Sequence, residues 1–237
     1  MLNNELIDEY IKESGKYQIK LLDKDKYSIG SSTLLHYRDR YFIITCSHCL
    51  KYVEEPLDVI VPIVRSNDVV RAFNLRNYQS DDGIDVASFE ISFVDFSNTQ
   101  NEKGYISDVI FDETDPLQNI NGLIVINATN YIGFEREEDG EIISVSFTTL
   151  PYFSEIIDYD NDYYIVSASP LGISQDGLEY NVETFAGMSG SPAFKITETH
   201  GLQWLGILTN GDPDSGKIWV LNYQFIIEYL NSHYFND

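Results

Sequence analysis

The chain reads as an all-β protein built of barrels or sandwiches, and three observations carry that reading. Short β-branched and aromatic runs recur along it with turn residues between them. Helical periodicity is confined to the two ends, and no strand alternates with a long helix, which argues against βαβ units. A content of 43% hydrophobic and 14% aromatic residues, including 17 Tyr and 13 Phe, supplies apolar area for a core and excludes intrinsic disorder.

The opening helix follows Asn4, where Leu6, Ile7, Tyr10 and Ile11 form an apolar stripe that stops at Gly15. Strands are predicted over 17–22, 27–37, 41–45, 57–64, 69–75 and 86–91. Each is an apolar run bounded by polar turn residues. The polar stretch 95–119 reads as a connector that divides the chain roughly in half. A second group of strands is predicted over 122–127, 142–149, 163–168, 192–195, 202–208 and 217–221. A closing helix follows over 223–234, with Phe225, Ile226, Tyr229 and Leu230 on one face. Acidic clusters at 135–141 and 158–162 read as solvated turns.

Charge narrows the function classes. Against 15 Lys and Arg stand 38 Asp and Glu, a formal charge of −23, and no basic cluster interrupts the excess. Nucleic acid and anionic membrane surfaces would repel such a chain. The longest apolar stretches, 59–64 and 123–126, are too short to span a bilayer. Residues 1–15 lack a positive n-region, so no leader is expected. Cys46 and Cys49 stand three residues apart, where a mutual disulfide would be strained. They are expected to be reduced thiols, and the protein cytoplasmic.

Three segments carry chemistry. In 186–194, AGMSGSPAF, Gly187-Met-Ser189-Gly lets the backbone turn sharply, exposes a hydroxyl and aims N–H groups at one point, as an oxyanion hole beside a nucleophile requires. Alone it could equally be a tight Gly/Ser turn. In 41–50, YFIITCSHCL, His48 enters a turn directly after an apolar strand, which suits a general base. Among His36, His48, His200 and His233 it is the one whose surroundings look selected for position. In 81–91, DDGIDVASFEI, Asp85 stands at the mouth of an apolar strand, placed to orient an imidazole.

In order, Thr45-Cys-Ser-His48-Cys, Ile84-Asp85-Val86-Ala87 and Gly187-Met-Ser189-Gly-Ser-Pro192 resemble the three signature blocks of the trypsin/chymotrypsin-like serine proteases. The wording near Ser189 is most similar to the bacterial branches, glutamyl endopeptidase and HtrA-like. The resemblance implies two six-stranded antiparallel β-barrels with short terminal helices. The expected division of the single domain 1–237 is an N-terminal helix over 1–16, barrels over 17–95 and 120–237, and a connector over 96–119. It implies Ser189 as nucleophile, His48 as general base and acid, Asp85 as the orienting carboxylate, and the Gly187 and Ser189 N–H groups as the oxyanion hole. It further implies that Thr209, Asn210 and Gly211 line the specificity cleft, with Glu183 placed to favour Arg or Lys at P1.

Two departures matter. Secreted members carry an Asp immediately before the serine that pairs with an amino terminus freed by zymogen cleavage; here the position is Met188, so such activation is not expected. The cysteine after the histidine normally bridges to the preceding strand, yet 27–37 contains none, so Cys49 has no partner. A protein or peptide substrate of cationic character and a regulatory protein partner are expected.

Competing readings fall short. Zinc on Cys46 and Cys49 would have to take ligands such as His36 and His48 and abolish the triad. Asp158-Tyr-Asp160-Asn-Asp162 departs from an EF-hand loop at Tyr163 and Ser169. Neither metal nor cofactor is expected. An α/β-hydrolase is disfavoured because Gly-x-Ser-x-Gly breaks at Ser191. The rival from another class is a protease-like binding or scaffold module without turnover.

Overall fold

The computed structural model describes residues 4–25, 27–64, 70–97, 103–107, 123–136, 142–160, 162–168, 185, 187–197 and 201–235. Helix α1 spans Asn4–Lys16 and lays Ile7 and Tyr10 into the core. The first half then contributes strands β1 (Gln18–Leu22), β2 (Ser28–Tyr37), β3 (Arg40–Thr45), β4 (Pro62–Val64), β5 (Val70–Ala72), β6 (Leu75–Asp81) and β7 (Val86–Ile91). The second half contributes β8 (Leu123–Arg136), β9 (Ile142–Asp160), β10 (Tyr163–Ser167), β11 (Pro192–Ile196), β12 (Leu202–Asp212) and β13 (Lys217–Asn222), closed by helix α2 (Tyr223–Tyr234).

The two halves differ in closure. In the second, six strands close into a barrel in the order β10-β13-β12-β11-β8-β9, every neighbouring pair antiparallel. The first half forms an open sheet in the order β1-β2-β3-β7-β6, and β4 and β5 form a separate antiparallel ribbon. This corrects the expectation of two closed barrels. The strand expected over 57–64 begins as a 3-10 turn at Pro56–Asp58, because proline at its start removes a ladder donor. What remains is short, and among the described residues its ladder pairing with β1 is the single bridge between Leu22 and Ile60. The ribbon still covers the open sheet: Val59, Val61, Ile63 and Phe73 pack with Leu21, Leu34, Ile43 and Phe89.

Three apolar clusters result, one under each half and one shared. The shared cluster joins Phe42, Ile44 and Val86 of the first half to Val125, Phe194, Trp204 and Ile207 of the second, with both helices contributing. Helix α2 starts cleanly because the Asn222 side chain accepts from the Gln224 N–H at 2.9 Å, an N-cap. It then reaches back across the molecule, where the Tyr229 and Tyr234 hydroxyls each meet Ser88 Oγ at 2.9 Å. Within the connector, Ile106 is fully buried and bridges Leu35, while Lys103 Nζ donates to the Gly15 and Gln18 carbonyls at 2.6 and 2.5 Å. Much of the rest of the stretch expected as connector lies outside the described residues. Among the described residues, no helix is long and apolar enough to cross a membrane.

Candidate active site

His48 sits in a 3-10 turn over Ser47–Leu50, immediately after β3 and Cys46. The apolar β3, buried from Phe42 to Thr45, anchors the turn, so the imidazole leaves a rigid base. Asp85 precedes β7 at φ 57°, in the left-handed region that Asp tolerates better than most residues. In that conformation its carboxylate meets the turn from three directions. The His48 Nδ1–H donates to Oδ2 at 2.8 Å, while the His48 N–H and the Ser47 hydroxyl each donate to Oδ1 at 3.0 Å. The Nδ1 contact fixes the tautomer and leaves Nε2 as the working nitrogen.

The electrostatics follow from that pairing. The hydrogen bond to Asp85, with help from Cys49, pushes His48 up to about 10. Burial works to raise Asp85, yet the bonds from His48 and Ser47 outweigh it and hold the carboxyl below its ordinary value. Cys49 is depressed because the Cys46 thiol donates to it and His48 lies beside it, whereas burial holds Cys46 well above the usual thiol range. Both cysteines are free. Opposite Cys49 stands Gly30, whose added Cβ would lie 2.7 Å from Cys49 Sγ, so glycine occupies the place of a bridging partner.

The third segment comes from the second half. Gly187 and Gly190 adopt φ 82° and 88°, which side chains rarely reach, and so turn the chain tightly around Ser189. A Cβ on Gly190 would lie 2.1 Å from the Ser31 carbonyl oxygen, so no other residue fits there. The loop is bonded to both halves. Gly190 N–H donates to Leu208 O at 2.8 Å, Ser31 N–H donates to Ser189 O at 2.9 Å, and the Thr33 hydroxyl donates to Gly190 O at 3.0 Å. Among the described residues, no acceptor is bonded to the N–H of Gly187 or Ser189. Both N–H groups are thus left to receive an acceptor, as an anion-receiving site needs.

Two cavities flank His48. One, of about 530 Å³, is lined by His48, Cys49, Gly187 and Ser189 together with Asp23, Lys24, Asp25, Tyr52, Glu54, Glu55 and Asp58, and Lys24 Nζ lies 3.7 Å from the Glu54 carboxylate. The other, of about 430 Å³, is lined by His48, Asp85, Tyr163, Thr209, Asn210 and Trp219. The fold thus brings His48, Asp85, Ser189, Gly187, Thr209 and Asn210 together from segments far apart in the chain. The Ser189 hydroxyl donates to the Thr209 carbonyl at 3.2 Å. Gly211 is covered by Phe185, whose Cδ2 would lie 2.3 Å from an added Cβ. That ring is 5% exposed and packs edge-on against Tyr152. Glu183 lies outside the described residues.

Sequence reasoning missed Phe185, Ser31 and Lys20. Lys20 was legible in principle: a lone lysine in the apolar run Ile19-Lys20-Leu21-Leu22 must either spoil a buried strand or serve something.

No family model and no curated protein matches the chain. Among solved structures, the chain is similar to the apo protease domain of MamO from Magnetospirillum magneticum, with a TM-score of 0.52 and 12% identity, over 91% of this chain and 96% of that one. The protein therefore has a chymotrypsin-like protease fold.

Proposed function

We propose that the protein is a serine endopeptidase that hydrolyses peptide bonds of a protein substrate through an acyl-enzyme on Ser189. The observation that carries this reading is the 2.8 Å bond from His48 Nδ1 to Asp85, with His48 and Ser189 lining one cavity beside two unpaired N–H groups. Ser189 Oγ attacks the scissile carbonyl carbon while His48 Nε2 takes its proton. The Gly187 and Ser189 N–H groups hold the oxyanion, and His48 returns the proton to the leaving amine. Water, deprotonated by His48 in turn, then releases the acyl group.

The resting geometry fits a His48 that carries a proton. An imidazolium has no lone pair to accept the serine O–H, and the hydroxyl turns instead to the Thr209 carbonyl. Reaction requires loss of that proton and a rotamer change at Ser189, a fast motion for a partly exposed side chain. The alternative of a binding module without turnover draws on the same turned hydroxyl and on Phe185 over Gly211.

The two cavities suggest how substrate lies. The resemblance sets the P1 pocket beside Thr209–Gly211, so the larger cavity across His48 receives residues after the scissile bond. Its five carboxylates outnumber its one cation, Lys24, and with Tyr52 90% exposed they favour a cationic segment there. We further infer that the protein works in the cytoplasm and that a regulatory partner displaces Phe185. The direct test is labelling by a fluorophosphonate probe. Wild-type protein should gain one phosphonyl group on Ser189, and Ser189→Ala should neither label nor cleave. Cleavage by Ser189→Ala at the wild-type rate would end the assignment.

A further inference from the structure

Lys20 is a charged residue in a place that charges avoid. It lies in β1, every residue of which is buried, and is itself 3% exposed. Its ammonium has crossed to the other half of the molecule, where it donates to the carbonyl of Gly187 at 3.1 Å. The Ser31 hydroxyl donates to the same oxygen at 2.7 Å. Lys20 and Ser31 are cross-strand partners in the β1–β2 register, so one rung of the first half's sheet delivers both donors to one atom of the nucleophile loop.

The target matters because of what Gly187 is. At φ 82° it occupies backbone space that only glycine enters freely, and the same freedom lets its flanking peptide planes turn. Two donors converging on its carbonyl fix the plane between Gly187 and Met188. That plane carries the Met188 N–H, itself held by the Phe185 carbonyl at 3.0 Å, and lies between the Gly187 N–H on one side and the plane of the Ser189 N–H on the other, so fixing it restrains both.

The cation also has a cost that a neutral donor would not carry. Burial pushes the Lys20 ammonium down to about 8, with nearby Cys49 offsetting the effect in part. A hydroxyl already satisfies the carbonyl, so hydrogen bonding alone does not explain a buried lysine. A positive charge beside two N–H groups that await an oxyanion does explain it, since it lowers the energy of negative charge developing there.

We propose that Lys20 is a positioning residue for the oxyanion site, clamping the Gly187 carbonyl together with Ser31. It supplies from an internal strand the restraint that the Asp-and-amino-terminus pair supplies in secreted trypsin-like proteins and that Met188 cannot supply here. The proposal rests on the endopeptidase reading for its catalytic meaning, while the clamp itself is a structural statement.

The experiment separates the two. Fluorophosphonate labelling is measured over a range of probe concentrations for wild type, Lys20→Met and Lys20→Arg, alongside melting temperature and amide exchange across 187–191. Lys20→Met should lower the maximal labelling rate by about 10- to 100-fold, the scale of a weakened oxyanion donor, while half-saturation changes little. It should melt no lower than wild type, because a buried charge has been replaced by an apolar side chain. Exchange at the loop amides should quicken. Lys20→Arg, which keeps the charge, should recover most of the rate. Wild-type labelling and exchange in Lys20→Met would overturn the clamp, as would a rate loss matched by a fall in melting temperature. If wild type itself never labels but Lys20→Met still loosens the loop, the clamp stands and the endopeptidase reading falls. If wild type never labels and the loop exchanges unchanged, both fall.

Discussion

His48 and Asp85 show how a single short contact sets the character of a residue. The folded value of His48, near 10, exceeds the unfolded value of about 6.5. The pair's contribution to stability is therefore fully present below about pH 6.5 and is lost as pH rises through 10. Asp85→Asn removes the carboxylate, so the His48 Cε1–H resonance should titrate markedly nearer the ordinary imidazole range than in wild type. A wild-type midpoint near 6.5 by the same NMR titration would refute the pairing as the cause. At this scale the meeting of His48, Asp85 and Ser189 was legible in the sequence because each stands at a strand end or in a glycine turn, where a side chain is held but exposed. Phe185 and Ser31 were not, and Lys20 stood out only as a lone charge in an apolar run, because their partners lie far along the chain: Tyr152 for Phe185, and the Gly187 carbonyl for Ser31 and Lys20. The Lys20 carbonyl contact spans 167 positions.

At the scale of elements, legibility followed burial pattern. Helix α2 was expected over 223–234 and is found there, because its apolar face and its asparagine cap are both local signals. Strand β6 was missed, for Leu75–Asp81 is largely polar and partly exposed, and it is a strand only because β7 offers it a ladder. Strands β8 and β9 run longer than their apolar runs, since each is the other's hydrogen-bonding partner along a hairpin from Leu123 and Glu155 to Arg136 and Ile142. The loop around Ser189 tolerates little change. Gly190→Ala would add both left-handed strain and a clash with the Ser31 carbonyl, and should cost about 2 kcal/mol or more. Denaturant unfolding checks this. A variant as stable as wild type would mean that β2 and the loop can part without penalty.

For the whole molecule, the formal charge of −23 includes five carboxylates that, with Lys24, line one cavity beside Ser189. Screening should therefore discriminate among substrates. Turnover of a peptide carrying Lys or Arg after the scissile bond should fall several-fold as salt shortens the Debye length from about 30 Å to about 3 Å, while a neutral analogue changes little. Equal salt response in both would assign the charge to solubility. The division into two strand groups was legible, but closure of only the second was not, because barrel closure depends on how edge strands meet. The hydrogen bonds from Ser31, Thr33 and Lys20 to the loop over 187–190 have a last consequence, in the order of synthesis. The first half leaves the ribosome before the serine exists, and the loop has no template until that half has folded. The Ser189 loop thus takes its shape on a surface made before it, and order in the first half precedes order at the candidate site.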